Sequence, residues 1–269
     1  MNYSQFPDGF ISFYRNLESD FLFGMDGEDR YVTNLKNMPS DWTYRTQQVH
    51  YRYDTFGFRI GSESLEDDYI LFSGCSHTEG VGLAIEHTYS RLVSSALNST
   101  YYNLAVGGSG IDILVHNMLL FLSCNKKPSK VIIQWPDSHR FYGIERLAND
   151  KWNINLFNPH VKVNAPGLKN IWETLNAHTF VFDKSLMMRM QLLMVLHNMG
   201  IPVYEVFVSN HPEDQSIVDF YPGNSAKVHD TIFLQGDKAR DLCHSGIEAN
   251  RNLANMIVSA IENNSTPST

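Results

Sequence analysis

Three short segments of the sequence carry residue types that could act together in nucleophilic catalysis. Ser76 lies in FSGCSHTEG, where an apolar run ends at a glycine and small polar residues follow. Asp241 and His244 lie three positions apart in ARDLCHSG, a spacing that brings two side chains together on a helical turn. A carboxylate can fix the tautomer of an imidazole and leave its other nitrogen to a hydroxyl nucleophile. The third segment is the glycine-rich AVGGSG, which contains Gly108.

Each segment also has a purely structural interpretation. A serine on a glycine-flanked turn is usually a turn residue, and GGSG alone is typical of a flexible turn. An aspartate and a histidine three positions apart usually form a pair at a helix end. Short motifs of this kind have a substantial false-positive rate when taken singly. Their joint position, where an α/β sheet would gather its site, favours the functional interpretation.

The order of the predicted elements indicates an α/β fold, a three-layer α/β/α sandwich with a central parallel sheet. We predict strands at Tyr69–Ser73, Thr100–Ala105, Lys130–Trp135 and Val203–Val208, with a short fifth at Thr231–Leu234. Helices are predicted at Thr88–Leu97, Asp112–Cys124 (Asp112 as a candidate cap), Lys184–Asn198 and Gly246–Ile261. Ligands of open parallel sheets bind outside the carboxyl ends of the strands, so we expect the site at that edge.

The segments outside this alternation divide the chain further. Residues 1–65 are aromatic and polar with weak periodicity, and we predict an N-terminal extension that packs on the core. The main domain is then 66–262, and 263–269 are a tail. Residues 138–183 interrupt the rhythm and are predicted to be an insertion after the third strand. An insertion that leaves the carboxyl end of that strand could form a cap over the site.

Composition excludes several classes of function. The 269 residues include 21 Lys+Arg and 29 Asp+Glu, a net charge of -8, and no basic run stands out that could neutralise phosphates, so we expect no nucleic-acid partner. No apolar run approaches the roughly 20 residues of a membrane span, and no signal peptide is recognisable, so we expect synthesis in the cytoplasm and no membrane partner. Three cysteines at irregular spacing predict reduced thiols. No tight Cys/His spacing indicates a metal site. The oligomeric state is left open.

The segments with chemical potential resemble the motif blocks of the SGNH (GDSL-like) hydrolase superfamily. FSGCSHTEG is similar to the first block, Gly-Asp-Ser-x-Thr-x-Gly, and NLAVGGSG to the second. DLCH matches the last block, Asp-x-x-His, and a helix follows it as expected. The resemblance extends from about Tyr69 to Ile261 without the insertion. YRYDTFGFR is loosely similar to stretches upstream in some members, including phage and bacterial proteins, and a phage particle could carry such a protein.

The resemblance implies a flavodoxin-like sheet and a Ser-His-Asp triad. Ser76 would be the nucleophile, His244 the general base and then the general acid, and Asp241 the residue that orients His244. The N–H groups of Ser76 and Gly108 would face the oxyanion. Members act mostly on acyl esters of sugars, lipids and thiols, and they use no metal and no organic cofactor.

The chain departs from the superfamily pattern at two positions. Cys75 replaces the aspartate that normally precedes the nucleophile, and Pro136 stands where the third block has the oxyanion asparagine. Proline has neither an amide side chain nor a backbone N–H, so one donor is missing. The nearby side chains that could replace it are Gln134, Ser138, His139 and Arg140. We favour Arg140 or His139, because a charged donor is the stronger replacement, with pairing of Arg140 to an acid in the insertion as an equal alternative.

The sequence therefore predicts a serine esterase that removes a small acyl group, of the acetyl type, from a carbohydrate. Two alternatives stay open: a binding or structural protein with a degraded site, and an acyltransferase that uses the same residues. Neighbouring cysteines suggest a minor third, in which Cys75 is a nucleophile or a redox partner of Cys243, although core packing of Cys75 is favoured. His77 and Glu79 could shape the pocket, but such residues more often face solvent at a helix start.

Overall fold

The computed structural model describes residues 8–62, 64, 66–146, 152–157, 174, 180–208, 225–230 and 232–265. Its centre is a five-stranded sheet in which every neighbouring pair is parallel. In chain order the strands are β3 (Tyr69–Ser73), β4 (Thr100–Asn103), β5 (Lys130–Gln134), β8 (Val203–Phe207) and β9 (Ala226–His229), while β1 (Glu18–Ser19) and β2 (Tyr51–Arg52) pair separately. The spatial order β4-β3-β5-β8-β9 is the flavodoxin-like order, with its topological switch point at β3.

Helices cover both faces of this sheet, which completes the predicted three-layer α/β/α sandwich. The helices are α1 (Glu28–Asn37), α2 (Ser76–Glu79), α3 (Tyr89–Ala96), α4 (Ile111–Cys124), α5 (Phe180–Asn198) and α6 (Ile247–Ser265). Successive residues of β3 alternate between the two faces, as strand geometry requires. Leu71 belongs to the apolar cluster beneath α4 and α5, whereas Ile70 and Phe72 belong to the cluster beneath α3 and α6. Burial on both faces explains why the strands read as continuous apolar runs.

The structure corrects the predicted fifth strand. Residues 232–235 form a turn, and the strand at this edge is β9, which precedes it; Thr231 lies outside the described residues. The apolar letters of this segment are misleading because only Phe233 points inward, whereas Ile232 is 64% exposed. Asp230 Oδ1 accepts a hydrogen bond from the Ile232 N–H at 3.1 Å, which begins the turn.

The first helical turn of α4 shows a second difference. Gly110, and not Asp112, is the N-cap residue. Asp112 lies two residues further along, within the first turn, where its carboxylate accepts from the Ile113 N–H at 2.9 Å, the Tyr142 N–H at 2.9 Å and Lys184 Nζ at 3.1 Å. Asp112 therefore joins three separate segments of the chain.

The segment predicted as an insertion is described only in part. Within 138–183, strands β6 (Phe141–Arg146) and β7 (Trp152–Phe157) form an antiparallel pair, and α5 begins at Phe180, four residues before the predicted start. Residues 147–151 and 158–173, including His160 and Trp172 of the notional cap, lie outside the described residues.

Residues of the N-terminal segment form an apolar cluster with residues from two loops of the sheet. Leu22, Tyr44 and Val49 pack in it with Leu83, which follows β3, and Ala239, which precedes α6. Across the described ranges, no helix is both long and apolar enough to cross a bilayer.

A buried ion pair connects α5 to β8. Arg189 and Glu205 are 1% and 0% exposed, and Arg189 Nε donates to Glu205 Oε2 at 2.8 Å. Trp135 Nε1 donates to the same oxygen at 2.7 Å, and Ser225 Oγ donates to Oε1 at 2.6 Å. The Arg189 guanidinium lies over the rings of Trp135 and Phe207, which limits its access to water.

Glu205→Gln should strongly destabilise the fold, because it leaves the Arg189 charge buried without its carboxylate. Loss of one member of a buried pair costs about 3–5 kcal/mol, and we expect the free energy of unfolding in urea to fall by that amount. Asp67→Asn is the matched control, since Asp67 pairs with Lys126 on the exposed surface and its loss should leave the midpoint unchanged. Equal midpoints for the two variants would contradict this assignment.

Candidate active site

Ser76 lies on a tight turn immediately after strand β3 of the parallel sheet. Gly74 and Cys75 lead out of the strand, Cys75 is the extended N-cap residue of α2, and Ser76 is the first residue of that helix. Gly80 ends α2 in the left-handed conformation. Strands β4 and β5 flank β3 on opposite sides, so Ser76 lies at the switch point where open α/β sheets bind ligands. Ser76 is 7% exposed and is therefore largely shielded from solvent.

Asp241 and His244 form a hydrogen-bonded pair in the loop before α6. His244 Nδ1 donates to Asp241 Oδ2 at 2.5 Å, and Asp241 Oδ1 accepts from the N–H groups of Cys243 and His244. Burial acts to raise the pKa of Asp241, but these hydrogen bonds and the His244 charge hold that pKa below its usual value. Leu242 has a φ of +60°, a left-handed conformation that bends the loop sharply between the two partners. The imidazole is thus held by Nδ1, and its Nε2 is left for another group.

The turn that bears Ser76, which is the candidate nucleophile turn, is in direct contact with the loop that bears Asp241 and His244, the candidate acid-base pair. The Arg240 N–H donates to the Gly82 carbonyl oxygen at 3.0 Å. A Cβ at position 82 would lie 2.8 Å from the Ala239 side chain and 3.2 Å from Asp241 Oδ1, and the φ of Gly82 is +78°, so only glycine fits this contact. On the other side of Ser76, the ring of His77 packs against that of His244 with centroids 5.0 Å apart.

The predicted oxyanion loop adjoins the same turn. The Val106 N–H and Ser109 Oγ both donate to the Gly74 carbonyl oxygen at 3.3 Å, which places Gly108 between two points of attachment. Asn103 Nδ2 donates to the Thr78 carbonyl oxygen of α2 at 2.8 Å. Three of the sequence segments that carry predicted site residues therefore meet at one edge of the sheet.

The loop after β5 carries Pro136 and the two candidate replacement donors. The Arg140 N–H donates to the Asp137 carbonyl oxygen at 3.1 Å, and the His139 N–H donates to Asp137 Oδ1 at 2.9 Å, so Asp137 shapes this turn. The turn packs on the oxyanion loop so closely that a Cβ at Gly110 would overlap the Arg140 carbonyl group.

Arg140 in this loop and Gln134 at the end of β5 differ in whether their side-chain polar groups already have hydrogen-bond partners. Arg140 Nε is buried and has no hydrogen-bond partner among the described residues. Gln134, by contrast, accepts a hydrogen bond from Thr78 Oγ1 at 2.6 Å within the core beneath α2. Of the two, Arg140 is the one with a buried donor still to be satisfied.

Glu79 is buried on the underside of the nucleophile turn. It is 2% exposed, and Tyr53 donates to its Oε1 at 2.5 Å. Burial raises the pKa of Glu79, although Tyr53 and the nearby Arg59 charge act in the opposite direction. Its Oε2 lies against the oxyanion loop, since a Cβ at Gly107 would be 2.8 Å from that oxygen.

Arg59 holds the end of α2. Its guanidinium donates to the carbonyl oxygens of Glu79, Gly80 and Leu83 at 3.1, 2.6 and 2.8 Å. These are carbonyls at and beyond the C-terminus of a short helix, where a cation is favourable.

His77 is a site residue that the motifs did not identify. Its ring contacts Phe233 and His244, and its Nδ1 is buried with no partner in the described part of the chain. Burial is the main reason that its pKa lies well below the usual value, and the positive charges of His244 and Arg140 lower it further. His77 is therefore a neutral imidazole beside the acid-base pair and not a solvent-facing residue of a helix start.

Cys75 and Cys243, which directly precede Ser76 and His244 in the sequence, lie in different environments. Cys75 is 3% exposed and Cys243 is exposed, and both are free thiols. Cys243 Sγ lies 3.3 Å from Arg30 Nη1 at the surface. Within the described residues, no group of three or more His, Cys, Asp or Glu side chains could hold a metal ion.

The chain is similar in fold to a solved structure of a carbohydrate esterase, and two further solved structures are similar at lower TM-scores. A carbohydrate esterase, described for the divergent catalytic and non-catalytic binding functions of its active site, has a TM-score of 0.50 and 11% identity, over 76% of this chain and 67% of that chain. TesA has a TM-score of 0.49 and 15% identity over 73% and 99%. A lipolytic protein of the G-D-S-L family from Desulfitobacterium hafniense has a TM-score of 0.45 and 11% identity over 71% and 98%. At these identities the likeness concerns the fold alone.

Sequence comparison identifies a family for this chain, but the description of that family gives no activity. A family model described as "Domain of unknown function (DUF6473)" matches residues 36–195. That span includes Ser76, Gly108 and Arg140 and stops before Asp241 and His244. No curated protein matches the chain.

His77 should make the stability of the protein depend on pH. Because its folded pKa is depressed, the unfolded chain binds a proton below about pH 6.5 that the folded protein does not, so stability is lost as pH falls below that value. The contribution is at most about 1.4 kcal/mol per pH unit. We expect the unfolding free energy of wild type minus that of His77→Gln to decrease between about pH 7.5 and 5.5. Above about pH 8 the difference should be constant, and parallel curves throughout would refute the prediction.

Proposed function

The chain belongs to the family described as a domain of unknown function (DUF6473), and we propose that it is a serine esterase that hydrolyses small acyl esters. Ser76, His244 and Asp241 are its proposed triad. The observation that carries the proposal is the part-buried Asp241–His244 hydrogen bond of 2.5 Å, in a loop that contacts the turn bearing Ser76. A carboxylate that accepts a hydrogen bond from Nδ1 of an imidazole orients that imidazole as the general base for a nucleophilic hydroxyl.

The reaction follows from these roles. The Ser76 oxygen attacks the ester carbonyl carbon while its proton moves to His244 Nε2. His244 then gives that proton to the leaving alkoxide as the carbon–oxygen bond breaks, which leaves an acyl group on Ser76. Water attacks the acyl carbon, again with His244 as base, and the acid is released as Ser76 recovers its proton. Asp241 stays ionised throughout and stabilises the imidazolium, consistent with its lowered pKa.

The oxyanion in this proposal is stabilised by backbone N–H groups of Ser76 and Gly108 and by the Arg140 guanidinium. Pro136 can supply no donor at the position of the third-block asparagine. Two observations support Arg140 as the replacement donor. Its carbonyl group lies against Gly110 in the oxyanion loop, and its buried Nε has no partner among the described residues. A cation at a forming oxyanion strengthens the interaction through charge. His139 lies on the same turn and is the second choice.

The substrate class is proposed as a small acyl ester of a carbohydrate. The 7% exposure of Ser76 favours a small acyl group, because a long chain needs an open groove beside the nucleophile. The carbohydrate part is suggested by the fold shared with a carbohydrate esterase at a TM-score of 0.50. Transfer of the acyl group to an acceptor other than water would use the same residues, and product analysis with and without a sugar acceptor separates the two reactions.

Ser76→Ala should abolish hydrolysis of p-nitrophenyl acetate, since the covalent intermediate can no longer form. Loss of a triad nucleophile lowers kcat by about 10⁴-fold or more. Ser123→Ala on the exposed face of α4 is the control and should retain the wild-type rate. Equal rates for wild type and Ser76→Ala would rule out the proposed mechanism.

A binding protein with this fold is the second candidate, and Pro136 is the observation that favours it. One missing donor weakens the oxyanion hole, and a site that has lost turnover can still bind its ligand. A fluorophosphonate probe separates the two, because it reacts only with an activated serine. Covalent labelling at Ser76, located by mass spectrometry and lost in His244→Asn, would exclude the binding-only alternative.

Arg140→Gln should lower kcat while KM changes little, because the proposed contact is made in the transition state. Removal of one oxyanion donor costs about 10²–10³-fold in kcat, and Arg140→Lys should recover part of this loss by retaining the charge. Arg251→Gln removes an arginine from a surface ion pair on α6 and serves as the control. A wild-type kcat in Arg140→Gln would transfer the role to another donor.

A further inference from the structure

One tyrosine hydroxyl connects the N-terminal segment to the nucleophile turn. Tyr51 donates to Asp26 Oδ2 at 2.6 Å, and its oxygen accepts from the Gly82 N–H at 2.8 Å. Tyr51, like Asp26, is fully buried. Burial and the Asp26 charge hold the pKa of Tyr51 well above its usual value, so the hydroxyl keeps the proton that it donates. A hydroxyl has one donor and two acceptor positions, and Tyr51 uses both functions here.

Asp26 carries the connection on to the loop of the acid-base pair. Arg240 Nε donates to Asp26 Oδ1 at 3.2 Å and to Oδ2 at 3.0 Å, and Nη2 donates to Oδ2 at 2.7 Å. Arg240 is 3% exposed, and the rings of Phe21 and Tyr31 lie 4.8 and 5.2 Å from its guanidinium. The ion pair is therefore desolvated and forked, which fixes direction as well as distance.

The backbone of Arg240 is held on two sides. Its N–H donates to the Gly82 carbonyl oxygen at 3.0 Å, and its carbonyl oxygen accepts from Asn34 Nδ2 of α1 at 2.9 Å. The peptide group between Arg240 and Asp241 is thus anchored by α1. The preceding peptide group, between Ala239 and Arg240, is anchored by the turn that bears Ser76. Asp241 follows directly, so a shift of Arg240 becomes a shift of the carboxylate that holds His244.

We infer that Asp26, Tyr51 and Asn34 are positioning residues of the proposed esterase site, which set the Asp241–His244 pair in register with the turn of Ser76. The effect of these three residues on catalysis rests on the proposed function, whereas their effect on the geometry of the Asp241–His244 pair does not. Tyr51 binds both halves of the arrangement, the turn through Gly82 and the loop through Asp26. None of the three residues touches the reacting atoms. A displacement of about 1 Å in a catalytic group can cost on the order of 100-fold in rate.

The first experiment compares Tyr51→Phe with Tyr69→Phe in the full chain. Each removes one tyrosine hydroxyl, but the Tyr51 hydroxyl bonds Asp26 and Gly82, whereas Tyr69 donates to the Lys126 carbonyl oxygen at the opposite end of β3. Fluorophosphonate titration counts active sites, so that kcat is expressed per competent molecule. We expect Tyr51→Phe to lower kcat for p-nitrophenyl acetate by about 10–100-fold with KM within about twofold, and Tyr69→Phe to keep wild-type kcat.

The second experiment asks whether the effect passes through Asp241. Asn34→Ala and Tyr51→Phe are each combined with Asp241→Asn in a double-mutant cycle. If the residues act by placing the Asp241 carboxylate, each should cost less than about twofold in the Asp241→Asn background. Asn34→Ala keeps the Asp26–Arg240 ion pair intact and so remains informative even if variants of Tyr51 fold poorly.

A spectroscopic readout tests the geometry without reference to turnover. The ¹H–¹⁵N signal of His244 Nδ1, assigned by its loss in His244→Asn, reports its hydrogen bond to Asp241. We expect this signal to shift in Tyr51→Phe and in Asn34→Ala and to stay in place in Tyr69→Phe.

The outcomes separate this inference from the proposed function. A wild-type kcat in Tyr51→Phe, an equally large loss in the Asp241→Asn background, or an unmoved His244 signal in both variants would each overturn the inference. If the wild-type protein shows neither hydrolysis nor labelling at Ser76, the proposed function fails. A shifted His244 signal would then still support the positioning role.

Discussion

Arg240 and Asp26 are buried together, and neither charge has bulk water to solvate it. A buried charge is tolerated only with a partner of good geometry, so the fold must keep the N-terminal segment against the loop before α6. That requirement determines the site, because Arg240 directly precedes Asp241 and also binds the Gly82 carbonyl oxygen. The Asp26–Arg240 ion pair thereby fixes the position of the loop of Asp241 and His244 relative to the turn that bears Ser76.

The N-terminal segment also supports the turn that bears Ser76. Arg59 binds three carbonyl oxygens at the end of α2, and Tyr53 binds Glu79, whose carboxyl group lies against Gly107. The turn of Ser76 is therefore supported by buried polar side chains as well as by apolar packing. Networks of this kind rigidify a structure when their groups are satisfied. Such support suits a four-residue helix, which is too short to be stable by itself.

The sequence predicts the parallel sheet and the Asp241–His244 contact because both depend on local patterns: apolar runs between glycine turns, and a spacing of three residues. It fails at the predicted strand Thr231–Leu234, where the buried Phe233 lies between two exposed apolar side chains, Ile232 and Leu234. It also misses the packing of His77 on His244 and the roles of Asp26 and Tyr51. These depend on tertiary contacts between distant segments, for which a single sequence carries no periodic signal. The alternation of Tyr51 and Tyr53 on one side of an extended segment was the available hint.

Asp26 and Arg240 are 214 residues apart in the chain, and this separation has a consequence for biosynthesis. During synthesis, Asp26 leaves the ribosome long before Arg240 is made. The Asp26 carboxylate therefore stays hydrated until Arg240 is available to pair with it. Contacts of such sequence separation form late, because the entropy of closing a long loop must be overcome first. The strands of the sheet can pair as they emerge, but the contacts that place the Asp241–His244 pair beside the turn of Ser76 form only after Arg240 has been made. Chains that end before Arg240 contain Ser76 and lack the Asp241–His244 pair.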